Sequence, residues 1–137
     1  MWKFLIYSPR TPKSRYSYHR LKYSHCDRVQ ESKKLRNLYP NKIGVIVEPD
    51  SSFVKIGELD SMQTYKYILD HDYKMLHLMI HLRKVLFIDS NESMFLFAGD
   101  NSDYVPNLSE TVKRVADKCI SSDGFLYITF TKEDAFG

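Results

Sequence analysis

The sequence closes on Phe136-Gly137, shortly after an apolar run from Phe125 to Phe130 that reads as a last strand. Glycine has no Cβ, so a glycine carboxylate on a short tail can thread an enzyme channel too narrow for other residues. Once activated by ATP, that carboxylate can pass to a cysteine thiol and then to an amine. Taken alone, Gly137 reads better as merely the place where a chain stops. The other candidates are weaker. His77 and His81 stand four apart, a spacing that sets two imidazoles on one helix face, but no Glu motif or third ligand accompanies them. The paired carboxylates Glu58/Asp60, Asp70/Asp72 and Glu133/Asp134 lack the neighbouring His or Ser of a triad and read as caps and solvated turns. Cys26 and Cys119 lie far apart without a Cys-x-x-Cys or an activating neighbour, and read as small buried hydrophobes in a reducing compartment. No glycine-rich phosphate loop and no RNP-type aromatic signature occur. These residues describe a non-enzyme with no cofactor and no nucleic-acid partner.

At 137 residues the chain has room for one core. Apolar residues make up 43% of it, too many for a disordered protein, while the longest apolar runs, Val85 to Ile88 and Met94 to Ala98, are far too short to span a bilayer. Charge is unevenly placed. Six of the 20 basic residues, and none of the 17 acidic ones, precede Asp27, so the remainder is net acidic. The segment 1–23 also carries Trp2, Phe4, Tyr7, Tyr16, Tyr18 and Tyr23. Such a basic-aromatic mixture suits anionic lipid, nucleic acid or an acidic protein. A solvated extension fits it equally, and a transit peptide ranks third.

The remaining residues, 24–137, read as one domain. Ser24 can cap a helix from about Cys26 to Leu38 with Val29 and Leu35 inward, and Tyr39-Pro40 ends it because the residue before proline is pushed out of helical space. Strands are expected at Ile43 to Val47 and Tyr65 to Leu69, with a loop between them holding a short strand near Val54 to Ile56. From Asp72, Met75, Leu78, Met79, Leu82 and Leu86 mark a helix, and Leu76 and Ile80 give it more apolar surface than one core face needs. A strand at Met94 to Ala98, a short helix from Ser109 through Ala116, and a closing strand at Gly124 to Thr131 follow. This order predicts an α+β fold with a mixed sheet.

Lys33-Lys-Leu-Arg-Asn-Leu-Tyr-Pro-Asn-Lys-Ile-Gly-Val-Ile-Val-Glu48 resembles the helix-to-strand passage of the autophagy ubiquitin-like modifiers of the GABARAP type. There a basic helix ends in Lys-Tyr-Pro-Asp-Arg and runs into Pro-Val-Ile-Val-Glu. Ile56-Gly-Glu-Leu-Asp60 resembles the family's loop, Lys66-Tyr-Ile-Leu69 its second strand, and Asp72 to Ala98 its helix and next strand without a gap. Gly124 to Phe130 and the terminal Phe136-Gly137 complete a likeness that covers residues 24 to 137.

The resemblance implies a ubiquitin-like β-grasp, a four-stranded mixed sheet holding one long helix, with added N-terminal helices. It implies conjugation of Gly137 to phosphatidylethanolamine by ubiquitin-like activating and conjugating enzymes, with a processing or delipidating cysteine protease as a further partner. No residue follows Gly137 in the sequence, so no proteolytic exposure would be needed. The modifier would be cytoplasmic, and on the autophagosome membrane when lipidated. It would recruit receptors carrying an aromatic-x-x-aliphatic motif, which add as a strand to the edge at Lys66, Tyr67 and Ile68. By position, the aromatic pocket would use Glu31, Leu35, Ile68 and Phe125 under Lys66; the aliphatic pocket would use Tyr67, Leu69, Tyr73, Leu78 and His81. Gly44 and Asp70 replace prolines of the family, His81 a leucine and Val85 a basic residue, making the second pocket more polar. The alternatives are the sister autophagy modifier joined to a protein lysine, and a basic membrane or nucleic-acid adaptor working through residues 1–23.

Overall fold

The computed structural model describes residues 17–50 and 64–134. Its elements run α1 (Tyr18–Lys22), α2 (His25–Leu38), β1 (Lys42–Pro49), β2 (Tyr65–Asp70), α3 (Met75–Val85), β3 (Glu92–Ala98), α4 (Val112–Cys119) and β4 (Leu126–Asp134). The four strands form one sheet in the order β2-β1-β4-β3. β1 and β4 pair in parallel, while β1–β2 and β3–β4 are antiparallel. The expected loop strand near Val54 and the Ile56 to Asp60 motif lie outside the described residues, as does Gly137.

Alternation along the strands builds two cores, one on each face of the sheet. Val45, Val47, Leu126 and Ile128 point to one face and meet Met75, Leu78 and Leu82 of α3, all at most 1% exposed. Ile46, Phe125 and Tyr127 point to the other and meet Leu35 of α2. Each such apolar side chain removed from water contributes roughly 1.5–3 kcal/mol. The surplus apolar surface of α3 stays outside: Leu76 is 42% exposed and Ile80 45%.

Several boundaries differ from the sequence pattern for definable reasons. Asp72 does not open α3. The helix starts at Met75 because the N–H groups of Met75 and Leu76 donate to the carbonyls of Glu110 and Leu108, so a neighbouring loop does the work of a cap. Thr111, not Ser109, caps α4 by accepting from the Arg114 N–H, while Ser109 is held in a turn by Asn107. The closing strand begins at Leu126 and runs to Asp134. Ser24 caps α2 as expected, but the one buried residue of that helix is Ser32, with Val29 only half-buried. Ser32 Oγ donates to the Asp123 carbonyl, and Gly124 lets the chains come that close, since a Cβ there would strike Ser32. Cys26 is exposed rather than buried, and Cys119 is intermediate.

The described part of the basic-aromatic segment is docked on the domain. Ser17 caps α1 and donates its hydroxyl to Glu48 Oε1 at 2.7 Å, while the His19 N–H donates to Glu48 Oε2 at 2.8 Å. Arg20 reaches Asp100 at 2.6 Å and lies 4.1 Å over the Tyr127 ring. Arg20 is therefore committed to the protein, and is not one of six free charges for a lipid surface. Residues 1–16, with Trp2, Phe4 and Tyr7, lie outside the described residues.

Candidate functional site

β2 is an edge strand, with β1 on one side and, among the described residues, no strand on the other. Half of its N–H and C=O groups thus face away from the sheet, a template for an added strand. Its side chains divide between the faces by alternation. Gly44 stands opposite Ile68 and Ile46 opposite Lys66 on the α2 face, whereas Val45 stands opposite Tyr67 and Ile43 opposite Leu69 on the α3 face. A bound strand alternates in the same way, so anchors three positions apart enter opposite faces. An aromatic-x-x-aliphatic spacing is what this edge would read.

On the α3 face the candidate residues come together. The Tyr67 hydroxyl lies 3.1 Å from His81 Nε2, with the rings edge to face at 5.2 Å. Burial pushes the Tyr67 phenol above its ordinary pKa, with Tyr65 and Tyr73 adding to it, so this hydroxyl keeps its proton. Tyr73 and Leu69 are half-buried against the core, and Leu78, at 1% exposed, backs the site from inside it. The two histidines of the metal-like spacing part company: His81 meets Tyr67, while His77 stacks edge-on to Tyr73 at 5.7 Å. No cluster of metal-binding residues occurs among the described residues.

The α2 face is tighter than the family resemblance implies. Glu31 and Leu35 are half-buried and Ile68 is 40% exposed, but Phe125 is 2% exposed and Ile46 1%. Phe125 and Ile46 form one cluster with Tyr127 and Leu35, and His19 packs onto Phe125. The His19 ring sits 4.9 Å from Tyr23, 5.5 Å from Phe125 and 6.1 Å from Tyr127, and Lys66 Nζ lies 4.8 Å over Tyr23. Both His19 ring nitrogens are buried without a hydrogen-bond partner. Burial chiefly, then the positive charge of Lys66, lowers its pKa to about 4 against an opposing pull from Asp123, so the ring is neutral. Sequence reasoning missed both His19 and Tyr23. Their only signal was membership of the aromatic-rich segment before Ser24.

Asp123 ties this face to α2. Its carboxylate accepts from Arg28 at 2.5 Å, the Tyr127 hydroxyl at 2.6 Å and the Phe125 N–H at 2.9 Å. Burial alone would raise its pKa, but these three donors outweigh it and hold the carboxyl below its usual range.

A four-stranded mixed sheet with α3 and α4 packed into the core on one face and two helices before the first strand defines a ubiquitin-like protein with N-terminal helices. The comparisons agree. Residues 27–137 match the family model described as "Autophagy protein Atg8 ubiquitin like". Autophagy-related protein 8e of Arabidopsis thaliana is 30% identical over 110 residues, covering 80% of this chain and 84% of that protein. Autophagy-related protein 8 of Schizosaccharomyces pombe is 27% identical over 110 residues, 80% of this chain and 85% of its own. The crystal structure of Trypanosoma brucei ATG8 superposes with a TM-score of 0.68 at 20% identity, covering 89% of this chain and 99% of that one, a likeness of fold. The chain belongs to the Atg8 family of ubiquitin-like autophagy proteins, which are modifiers.

Proposed function

We propose that this chain is conjugated through Gly137 to phosphatidylethanolamine and, on the autophagosome membrane, recruits receptors with short aromatic-x-x-aliphatic motifs. Family membership supports the conjugation half, because the family match runs through residue 137. An activating enzyme would join the Gly137 carboxylate to AMP with release of pyrophosphate; an enzyme thiol would displace AMP, and the lipid amine would then displace the thiol. The free edge of β2 carries the recruitment half, since Tyr67 and His81 border it on one face and Leu35, Lys66 and Ile68 on the other. A cysteine protease that processes or delipidates the modifier completes the partner set, and the unconjugated form resides in the cytoplasm.

The test is reconstitution with the cognate activating and conjugating enzymes, ATP and vesicles containing phosphatidylethanolamine, read by intact mass. The expected product is the chain plus lipid less one water, absent from Gly137→Ala. Normal lipidation of Gly137→Ala sinks the proposal, and a product attached only to a protein lysine points to the sister modifier instead.

A further inference from the structure

α3 closes on a residue that its backbone does not favour. The Phe87 N–H donates to the Lys84 carbonyl at 3.2 Å and the Ile88 N–H to the Arg83 carbonyl at 3.0 Å, the two bonds of a Schellman ending. Such an ending needs a left-handed residue just past the helix, a place that glycine normally fills because it has no Cβ to clash. Here the residue is Phe87, with a φ of 53°, and it is 88% exposed. The chain thus carries an aromatic residue in a strained backbone position, and the fold buries almost none of it in return.

Phe87 stands at the end of the domain where β4 finishes. The Glu92 N–H donates to the Asp89 carbonyl at 3.0 Å, turning the loop into β3, and Glu92 is the register partner of Asp134, the last residue of β4. Gly137 is three residues beyond Asp134, a span of at most about 11 Å. A lipid on Gly137 would therefore bring a bilayer surface within reach of the α3–β3 loop. β2 is the other edge of the sheet, so the receptor edge stays on the side away from β3. Charge near the loop is mixed: Lys84 is exposed, Arg83 donates to the Asp89 carbonyl at 2.7 Å, and Lys132 pairs with Glu92 at 3.3 Å.

We infer that Phe87 is a membrane-contact residue: once Gly137 carries its lipid, the ring enters the interface of the same bilayer and orients the domain on it. The inference rests on the conjugation proposed above. Aromatic and apolar side chains settle at the boundary between headgroups and acyl chains. Burying one phenylalanine favours the inserted state by roughly tenfold to a hundredfold. That is too little to recruit a free protein, but it suffices to orient one that a tether already holds at the surface. Because the neighbouring charges are mixed, the contact is apolar, and salt should not weaken it as it weakens the hold of a basic patch.

The test couples the full chain, carrying Cys26→Ser and Gly137→Cys, to a maleimide headgroup on phosphatidylethanolamine in phosphatidylcholine vesicles, which sets the tether without any enzyme. Burial pushes the Cys119 thiol up to about 11, which leaves position 137 to take the lipid. Trp2→Phe removes the one native tryptophan, and Phe87→Trp or Tyr39→Trp then supplies a single indole. Tyr39 precedes β1, which runs parallel to β4, so it marks the opposite end of the domain. On vesicles with brominated acyl chains the Phe87→Trp indole should shift to the blue and lose intensity, equally at low and moderate salt, and the Tyr39→Trp indole should do neither. Phe87→Gly alone should melt at or above wild type. Equal quenching at both positions, none at Phe87→Trp, or quenching lost at moderate salt overturns the contact. A lower melting point for Phe87→Gly makes the ring structural and overturns it as well. A blue shift caused by the conjugating enzymes in lipid-free solution, with none on vesicles, assigns the ring to an enzyme instead. Failure of enzymatic lipidation strikes the conjugation reading, and quenching on the chemical tether still decides the contact.

Discussion

The Phe125 ring occupies the place of a side chain at position 44: a Cβ added to Gly44 would lie 2.8 Å from two of its ring carbons. Phe125 is 2% exposed and is boxed in by His19, Ile46, Tyr127 and Leu35, so the ring cannot swing into solvent to make room. Gly44→Ala is therefore expected to destabilise the protein by about 1–3 kcal/mol, the usual cost of overpacking. Denaturant titration checks it. An unchanged or higher midpoint would mean that the ring relaxes freely and that its fit to Gly44 is incidental.

His19 should give the fold a pH dependence of definite sign. An unfolded histidine takes its proton near pH 6.5, while burial and Lys66 hold the folded ring unprotonated down to about 4. Between those values the unfolded chain binds more protons, so the stability contributed by the neutral ring is complete above about pH 6.5. It falls as pH drops through the window and is lost below the folded value. The expected loss is of order 2–3 kcal/mol. His19→Phe keeps the ring contacts and removes two buried nitrogens that lack partners, so it should flatten this dependence and match or exceed wild type at pH 7. Midpoints at half-unit pH steps read the difference, and parallel profiles for the two proteins would refute it.

What the sequence revealed and what it hid divide along the range of the interactions. Ser24 before α2, Tyr39-Pro40 after it, the apolar run of β1 and the stripe Met75, Leu78, Leu82 are local signals, and each maps onto an element. The open edge at Lys66 to Ile68 followed from family likeness and is an edge of the sheet among the described residues. Hidden were the polar ties that set how helices lie on the sheet. Ser17 and His19 hold Glu48 from about thirty positions away, and Ser32 and Arg28 hold Asp123 from more than ninety. No periodicity marks such partners. The aromatic pocket at Phe125 came from family likeness alone, which carries no sign that His19 of α1 packs onto that residue.

Arg28 and Asp123 should be worth more to the fold than any surface ion pair. The Asp123 side chain is fully buried and that of Arg28 is 11% exposed. Arg28→Ala leaves the carboxylate with the Tyr127 hydroxyl and Phe125 N–H as remaining donors, and breaking a buried pair in this way costs about 3–5 kcal/mol. The folded pKa of Asp123 is depressed, so its contribution is present above the ordinary carboxylate pKa near 3.9 and disappears as pH falls through the folded value. In Asp123→Asn that acid limb should be missing. A loss in Arg28→Ala below about 1 kcal/mol would place the pair with weak surface salt bridges.

Peptide binding should depend on the two faces of β2 separately. Tyr67 borders the edge on the α3 face with its hydroxyl beside His81, and truncating an aromatic anchor at such an interface costs about 1–3 kcal/mol, or roughly tenfold to a hundredfold in affinity. Lys66 closes the other face over Tyr23, so Lys66→Ala should change affinity for the aromatic position of a peptide more than for its aliphatic one. Both residues lie on an edge strand, Lys66 exposed and Tyr67 half-buried, so neither change should unfold the domain. Titration of an aromatic-x-x-aliphatic peptide and of versions with alanine at each anchor separates the contributions. Tyr67→Ala should weaken the parent peptide and lose little more when the aliphatic anchor is removed, because the two act at one place. Full, additive losses from protein and peptide changes would put the aliphatic anchor elsewhere on the molecule, and unchanged affinity in both variants would remove β2 as the docking edge.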